Sequence, residues 1–311
     1  MTATETLAPR SLAAAICLTI LAGVLLAATD AVGKILSDHA SVWQAAWARY
    51  VFHTLFVVGF LSRRYGWRLV QTRRPGLQLL RGLILLVTTL MMYTSVVLTS
   101  LANATTIQFL SPILVVIWAA LFLGERPTSR HWVAVGGGFA GTVIVIDPDL
   151  GRILTPEVLL PLGVAFCMSV FLILTRILST EEERGCTQFA TTAIGALALT
   201  LALPLFWVRP SLHDLGLMLA IGGFGALGHS ALLAAYARAR ASTLTPFLYS
   251  QVLGAALITV FWFGDTLSTR LTIGTVILVS SGIFLWWQER RANRRAAAAY
   301  ISIPPEREIR T

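Results

Sequence analysis

Asp30 and Lys34 stand four residues apart, the spacing that puts two side chains on one helical face and lets a carboxylate and an ammonium pair. Arg49 follows inside the next apolar stretch, where a guanidinium cannot shed its charge and needs an acceptor such as Asp30, a backbone carbonyl or an anionic ligand. His53, Tyr93, Gln108, Ser111, His229, Tyr249 and Gln251 are the other polar side chains set deep in apolar surroundings. Polar groups in hydrocarbon are costly, about 2.5–3.5 kcal/mol for a charge, so they turn toward a protein interior or a wet cavity. Together they are the natural candidates for a binding site. The competing reading of each is local: an ion pair for Asp30 with Lys34, a packed imidazole for His229, and interhelical hydrogen bonds for the rest. His229 also has the titration range of a proton-coupling group.

A catalytic constellation is missing. There is no HExxH, GxSxG or P-loop GxxxxGK[ST]. Gly223-x-Gly225-x-x-Gly228 imitates a dinucleotide fingerprint, but no strand precedes it, and small residues for close helix approach explain it better. Cys17, Cys167 and Cys186 show no paired or CxxC spacing, so no metal site and no cofactor is expected. Arg81, at the inner end of its apolar stretch, is expected to snorkel and serve structure. Glu181-Glu-Glu183 reads as a solvated turn.

The elements that must hold these residues follow from composition. Of 311 residues, 56% are hydrophobic and 13% charged, with mean hydropathy +0.75, far from the soluble norm. The apolar residues form runs of about twenty, the helical length that crosses hydrocarbon. The run from Ser11 to Val32 is longer than the core of a signal peptide and reads as the first membrane helix. Breaks at charged, Pro and Gly clusters divide the chain into spans at 12–33, 43–61, 79–99, 104–123, 132–147, 158–178, 187–207, 215–236, 245–263 and 271–288. The fold class expected is an all-α integral membrane protein of ten transmembrane helices.

With both termini cytoplasmic, eighteen basic residues fall inside and four outside, namely Lys34, Arg152, Arg209 and Arg270. Trp43, Trp207 and Trp262 then sit at outer ends, with Trp132, Trp286 and Trp287 at inner ends, as an aromatic belt does. The net charge of +9 is therefore read as topology, with no nucleic-acid partner. A shift of 140 residues places Thr105 on Thr245, Phe109 on Tyr249, Gly124-Glu125 on Gly264-Asp265 and Arg130 on Arg270. Five helices per copy is an odd number, so the second copy is inverted, the architecture of alternating access. The expected organisation is a cytoplasmic N-terminus (1–11), a first repeat (12–147), a second, inverted repeat (158–288) and a basic cytoplasmic tail (289–311). Gly136-Gly-Gly138 and Gly141 are expected to face Gly274 and Gly282 across the two halves.

Several motifs in order carry a resemblance: Asp30-Ala-x-x-Lys34, Arg49-Tyr50, Arg81-Gly82, Ala102-Asn-Ala104, Leu110-Ser-Pro112, Leu123-Gly-Glu-Arg126, Thr175-Arg176, Gly228-His229, Ala234-Ala-Tyr236 and Thr245-Pro-Phe-x-Tyr249. Over residues 10–290 the chain resembles the EamA-type carriers of the drug/metabolite transporter superfamily. The resemblance implies two five-helix repeats and a central cavity lined by helices 1, 3, 4, 6, 8 and 9, which favours Tyr93, Gln108, Ser111, His229, Tyr249 and Gln251 as lining residues. It departs from the repeat at Val252, which stands where the first half has Pro112, so a break in helix 9 is expected nearer Pro246.

The function expected is a secondary transporter of a small polar or zwitterionic metabolite, amino-acid-like or opine-like, across a bacterial inner membrane. Family frequency leans to efflux; the alternative is an importer of metabolites or vitamins. From other classes, a lipid-acting intramembrane enzyme needs converging ionisable groups that cannot be assembled here, and a non-transporting sensor needs no cavity. Partners are the metabolite and the lipid bilayer, with proton or counter-substrate coupling open and a monomer sufficient.

Overall fold

The computed structural model describes residues 9–122, 129–146, 155–178, 182–236, 238, 244 and 247–301. Among these lie eleven α-helices and no strand: α1 (Pro9–His39), α2 (Val42–Tyr65), α3 (Pro75–Leu98), α4 (Leu101–Gln108), α5 (Ser111–Phe122), α6 (Ser129–Ile146), α7 (Pro156–Leu178), α8 (Arg184–Ala202), α9 (Leu212–Tyr236), α10 (Ser250–Phe261) and α11 (Thr269–Ile301). Every apolar segment read from the sequence holds helix. Seven helices carry a window long and apolar enough to cross a membrane, and α4–α5, α6 and α10 hold shorter apolar stretches. The Gly124–Thr128 part of the first-half loop, Thr245-Pro246 and the end of the basic tail lie outside the described residues.

The helix ends have local causes. Ser41 and Ser100 cap α2 and α4, their hydroxyls accepting from the Gln44 and Asn103 amides at 3.1 Å. Pro75 opens α3, where its missing N–H is no loss. Gly66, at φ 52° and ψ −135°, takes a positive-φ backbone conformation that glycine adopts without steric cost, and α2 ends there. Within the helices, the hydroxyls of Thr19, Thr29, Thr54, Thr88, Thr94, Thr142 and Thr175 each donate to the carbonyl four residues earlier, at 2.6–3.0 Å. Their polarity is thus satisfied without a partner helix.

The side chains sort by surroundings. Phe60, Leu201, Leu205 and Phe261 are more than two-thirds exposed on the outside, an apolar skin that belongs against acyl chains. Asp30, Gln44, His53, Gln78, Arg81 and Tyr93 are buried within.

α1 packs along α9, α3 along α7, and α6 along α11; α2 meets α8 and α9, α3 meets α8, α1 meets α10, and α4 and α5 meet α7. Gly141 and Gly274 bring α6 and α11 close: a Cβ on Gly274 would stand 2.5 Å from the Gly141 carbonyl oxygen. Gly282 does not share that seam as expected. It lies against the Tyr249 ring, because Tyr249 enters from the α10 side and occupies the space a side chain would fill. In α9 a Cβ on Gly228 would stand 3.2 Å from Leu26, while Gly223 and Gly225 meet Phe56 and His53 at ordinary contact distance; the tightest approach to α2 falls at Gly222, against Phe52.

α4 and α5 part at Phe109–Leu110, just before Pro112, which has no N–H to return to the Gln108 carbonyl. The second half also breaks, at Tyr249, where the turn separates helical residues 247–248 from α10. This turn falls at the position equivalent to Phe109, with Val252 and Leu253 both donating to the Tyr249 carbonyl; Pro246, where an offset break is expected, lies outside the described residues.

The connection after α2 is ordered by an acid the sequence reading left to solvent. Glu182 Oε1 accepts from Thr72 Oγ1 at 2.7 Å and from the Arg73 and Arg74 amides at 2.7 and 2.9 Å. Partial desolvation pushes its carboxyl up, but these three donors and the Arg73 charge outweigh it and hold the group below the ordinary glutamate value.

Candidate functional site

Charges meet in the interior where α1, α2, α3 and α10 converge. Arg49 Nη1 lies 3.3 Å from Asp30 Oδ1 and donates to the Tyr93 hydroxyl at 3.3 Å. Gln251 Nε2, from α10, donates to Asp30 Oδ2 at 3.3 Å. The two charged side chains are only 7% and 14% exposed, so each depends on the other. Tyr93 is wholly buried, and Gly33 leaves room for it: a Cβ there would stand 2.5 Å from Tyr93 Cε1. Beside it, Tyr50 and Thr89 share a 3.0 Å hydroxyl contact.

Lys34 is not Asp30's partner. Its ammonium lies 4.4 Å from the Phe263 ring centroid, in cation–π geometry, while Asp30 turns to Arg49. The local four-residue pairing loses to a guanidinium delivered by the neighbouring helix.

One turn along α2 from Arg49, His53 faces His229 of α9, ring centroids 5.2 Å apart. His229 Nδ1 is 2.9 Å from the Gly225 carbonyl, which only accepts, so the proton sits on Nδ1 and Nε2 is left to accept. Gln188 of α8 reaches the far side of His53 at 3.5 Å, and its Oε1 is buried without a hydrogen bond. Gln188 was missed in the sequence because it stands at the mouth of its apolar run, where a polar residue is ordinary.

Ser111 is buried and Gln108 half-buried, on either side of the α4/α5 break. The rings of Phe109 and Tyr249 meet there at 5.2 Å, and Thr106 and Thr275 share a hydroxyl contact at 3.2 Å. The structure thus gathers Asp30, Arg49, Tyr93 and Gln251 into one cluster, sets His229 beside His53, and places Gln108, Ser111 and Tyr249 at the paired breaks. Lys34 stands apart from all three.

Arg81 does not snorkel. It is 6% exposed, donates to Thr175 Oγ1 at 2.8 Å and to the Thr187 carbonyl at 3.2 Å, bonds Thr191, and stacks over Phe171 at 4.3 Å. It ties α3 to α7 and α8.

Chemically, the central cluster offers a carboxylate, a guanidinium, a phenol and an amide, with no activated nucleophile among them. Such a set can meet the charges of a ligand with paired hydrogen bonds.

Residues 13–147 match the EamA-like transporter family. The chain is 26% identical to a protein of Rickettsia bellii named S-adenosylmethionine uptake transporter, over 85% of this chain and 90% of that one. It is also 26% identical to a riboflavin transporter of Rhizobium johnstonii, covering 84% of each. A pseudopaline exporter of Pseudomonas aeruginosa is 26% identical over 86% of this chain and 94% of that one. A solved protein structure, 20% identical, superposes with a TM-score of 0.65 over 90% of this chain and 99% of that one, a likeness of fold.

Proposed function

The chain belongs to the EamA-type carriers of the drug/metabolite transporter superfamily, and from that premise we propose that it is a secondary transporter that moves a small zwitterionic metabolite across a bacterial inner membrane by alternating access. The observation that carries this is the buried Asp30–Arg49 pair, reached by Gln251 from the other half of the chain. A carboxylate and a guanidinium side by side complement the ammonium and carboxylate of an amino-acid head group. Their mutual contact, at 3.3 Å, is longer than the common hydrogen bond, so it is loosely made and open to exchange for a ligand's charges. S-adenosylmethionine, in the Rickettsia protein's name, is a methionine derivative and ends in such a head group.

The proposed frame is ten spans in two inverted repeats, 12–147 and 158–288, with both termini cytoplasmic. The packing supports it. Exchanging each helix for its counterpart 140 residues away turns the α1–α9 contact into α7–α3, and α2–α9 into α8–α3. At finer grain, Gly137 faces Ser281 where Gly141 faces Ile277, a pair related by the same exchange, and Phe109 meets its own counterpart Tyr249. Within this frame Tyr93, Gln108, Ser111, His229, Tyr249 and Gln251 line the substrate path, and the two helix breaks lie at its midpoint.

The test is uptake into proteoliposomes of radiolabelled α-amino-acid zwitterions against neutral and purely anionic controls, with imposed pH gradients, alongside metabolite profiling of cells with and without the protein. Protein-dependent flux of zwitterions is expected. Flux of neutral solutes alone would overturn the assignment of substrate class. Efflux and uptake are the two outcomes of the direction measurement, since relatives carry names of both kinds.

A further inference from the structure

At the far end of α1 from Pro9, the structure gathers a second set of polar groups that plays no part in the central cluster. His39, the last residue of α1, places Nδ1 3.2 Å from Asp214 Oδ1, and His213 Nδ1 lies 3.9 Å from the same oxygen. The three donor atoms all lie within 4.8 Å of one another. We propose that His39, His213 and Asp214 form a binding site for a divalent transition-metal ion of the zinc class, joining the end of α1 to the start of α9.

The carboxylate is oriented for this. Asp214 Oδ2 is occupied by the Ser211 amide at 2.9 Å and the Ser211 hydroxyl at 2.7 Å, while Ser211 Oγ accepts the Asp214 amide at 3.1 Å. That reciprocal cap fixes the side chain and aims Oδ1 at the two imidazoles, as an outer-shell partner does for a metal ligand. Two imidazole nitrogens and one carboxylate oxygen suit zinc and its first-row neighbours; magnesium and calcium prefer sites built of oxygen. Tetrahedral zinc sets its ligand atoms roughly 3.3 Å apart. The His39–Asp214 edge already has that length. The other edges would close by rotation of His213, which is 68% exposed. Solvent supplies the remaining coordination.

The site is independent of the transport reading, and so is its test. The full chain, purified without a histidine tag, is titrated with Co2+ and followed by the visible absorption of bound cobalt, then competed with Zn2+ and separately with Mg2+. One equivalent of Co2+ per chain is expected, displaced by Zn2+ and not by Mg2+, with Zn2+ raising the thermal unfolding temperature. His39→Ala and His213→Ala, both at exposed positions, should each weaken binding by about tenfold or more and remove the thermal shift. Binding that is absent from the wild type, or equal in wild type and both variants, overturns the proposal.

Discussion

Replacing Asp30 by Asn leaves Arg49 charged, buried and facing an amide, and the consequence can be worked from the geometry. At 3.3 Å, with the effective dielectric of about 20 that suits protein sites, the attraction between the two charges is about 5 kcal/mol. Removing one partner of a buried pair destabilises by about 3–5 kcal/mol, because the other charge stays without compensation. Arg49→Gln strands Asp30 in the same way. The double variant, Asp30→Asn with Arg49→Gln, buries two neutral amides instead and should recover a large part of the loss. The assay is unfolding in mixed micelles by SDS titration, read by tryptophan fluorescence, on all four proteins. Both single variants are expected to be strongly destabilised and the double variant less so than their sum. Additivity within about 0.5 kcal/mol would refute the argument, since it would mean that the two charges do not sense each other. In transport, the double variant should remain inactive toward zwitterions despite its recovered stability, which separates binding from folding.

Three further outcomes follow from particular contacts. Gly33→Ala drives a Cβ into the Tyr93 ring, so zwitterion transport should fall and stability drop by about 1–3 kcal/mol; wild-type transport kinetics in this variant would argue against a role for Tyr93. Gly274→Val collides with the Gly141 carbonyl and Val145 and should part α6 from α11, lowering the thermal unfolding temperature, whereas Gly136→Ala, which meets nothing within 4 Å, should leave it level or slightly raised. Glu182, its carboxyl held below 4.5, contributes its full stabilisation above that value and loses it as pH falls through the lowered one. Hydrogen exchange at the Arg73 and Arg74 amides should therefore lose protection on acidification in the wild type, and Glu182→Gln should weaken that protection at neutral pH and flatten the acid dependence.

The helices were legible because hydrocarbon imposes a length on apolar runs, and that length survives any tertiary arrangement. Arg49's need for an acceptor was equally legible, since its charge is permanent. Its choice of Asp30 over a closer rival for that carboxylate was not: Lys34 is nearer in sequence, yet the interhelical contact won and Lys34 went to an aromatic face. The break at Tyr249 escaped because it has no proline, only a register shared with Phe109–Leu110. His39 and Asp214, 175 residues apart, are joined by nothing in the sequence except the packing of α1 on α9. Glu182 looked solvated among its acidic neighbours because the amides that claim it belong to a segment about a hundred residues earlier.

The threonine hydroxyls bear on how such a bundle moves. Each bonds to its own helix, so the bond travels with that helix as a rigid part. A helix that slides or tilts past its neighbour breaks none of them, and in a solvent without water there is nothing else to re-form them with. Resistance between the helices is left to apolar contact and to the long-range polar ties, among them Asp30 with Arg49 and Gln251, and Arg81 with Thr175, Thr187 and Thr191. On the proposed binding of cargo at the Asp30–Arg49 pair, the ligand and the rearrangement would act on the same contact.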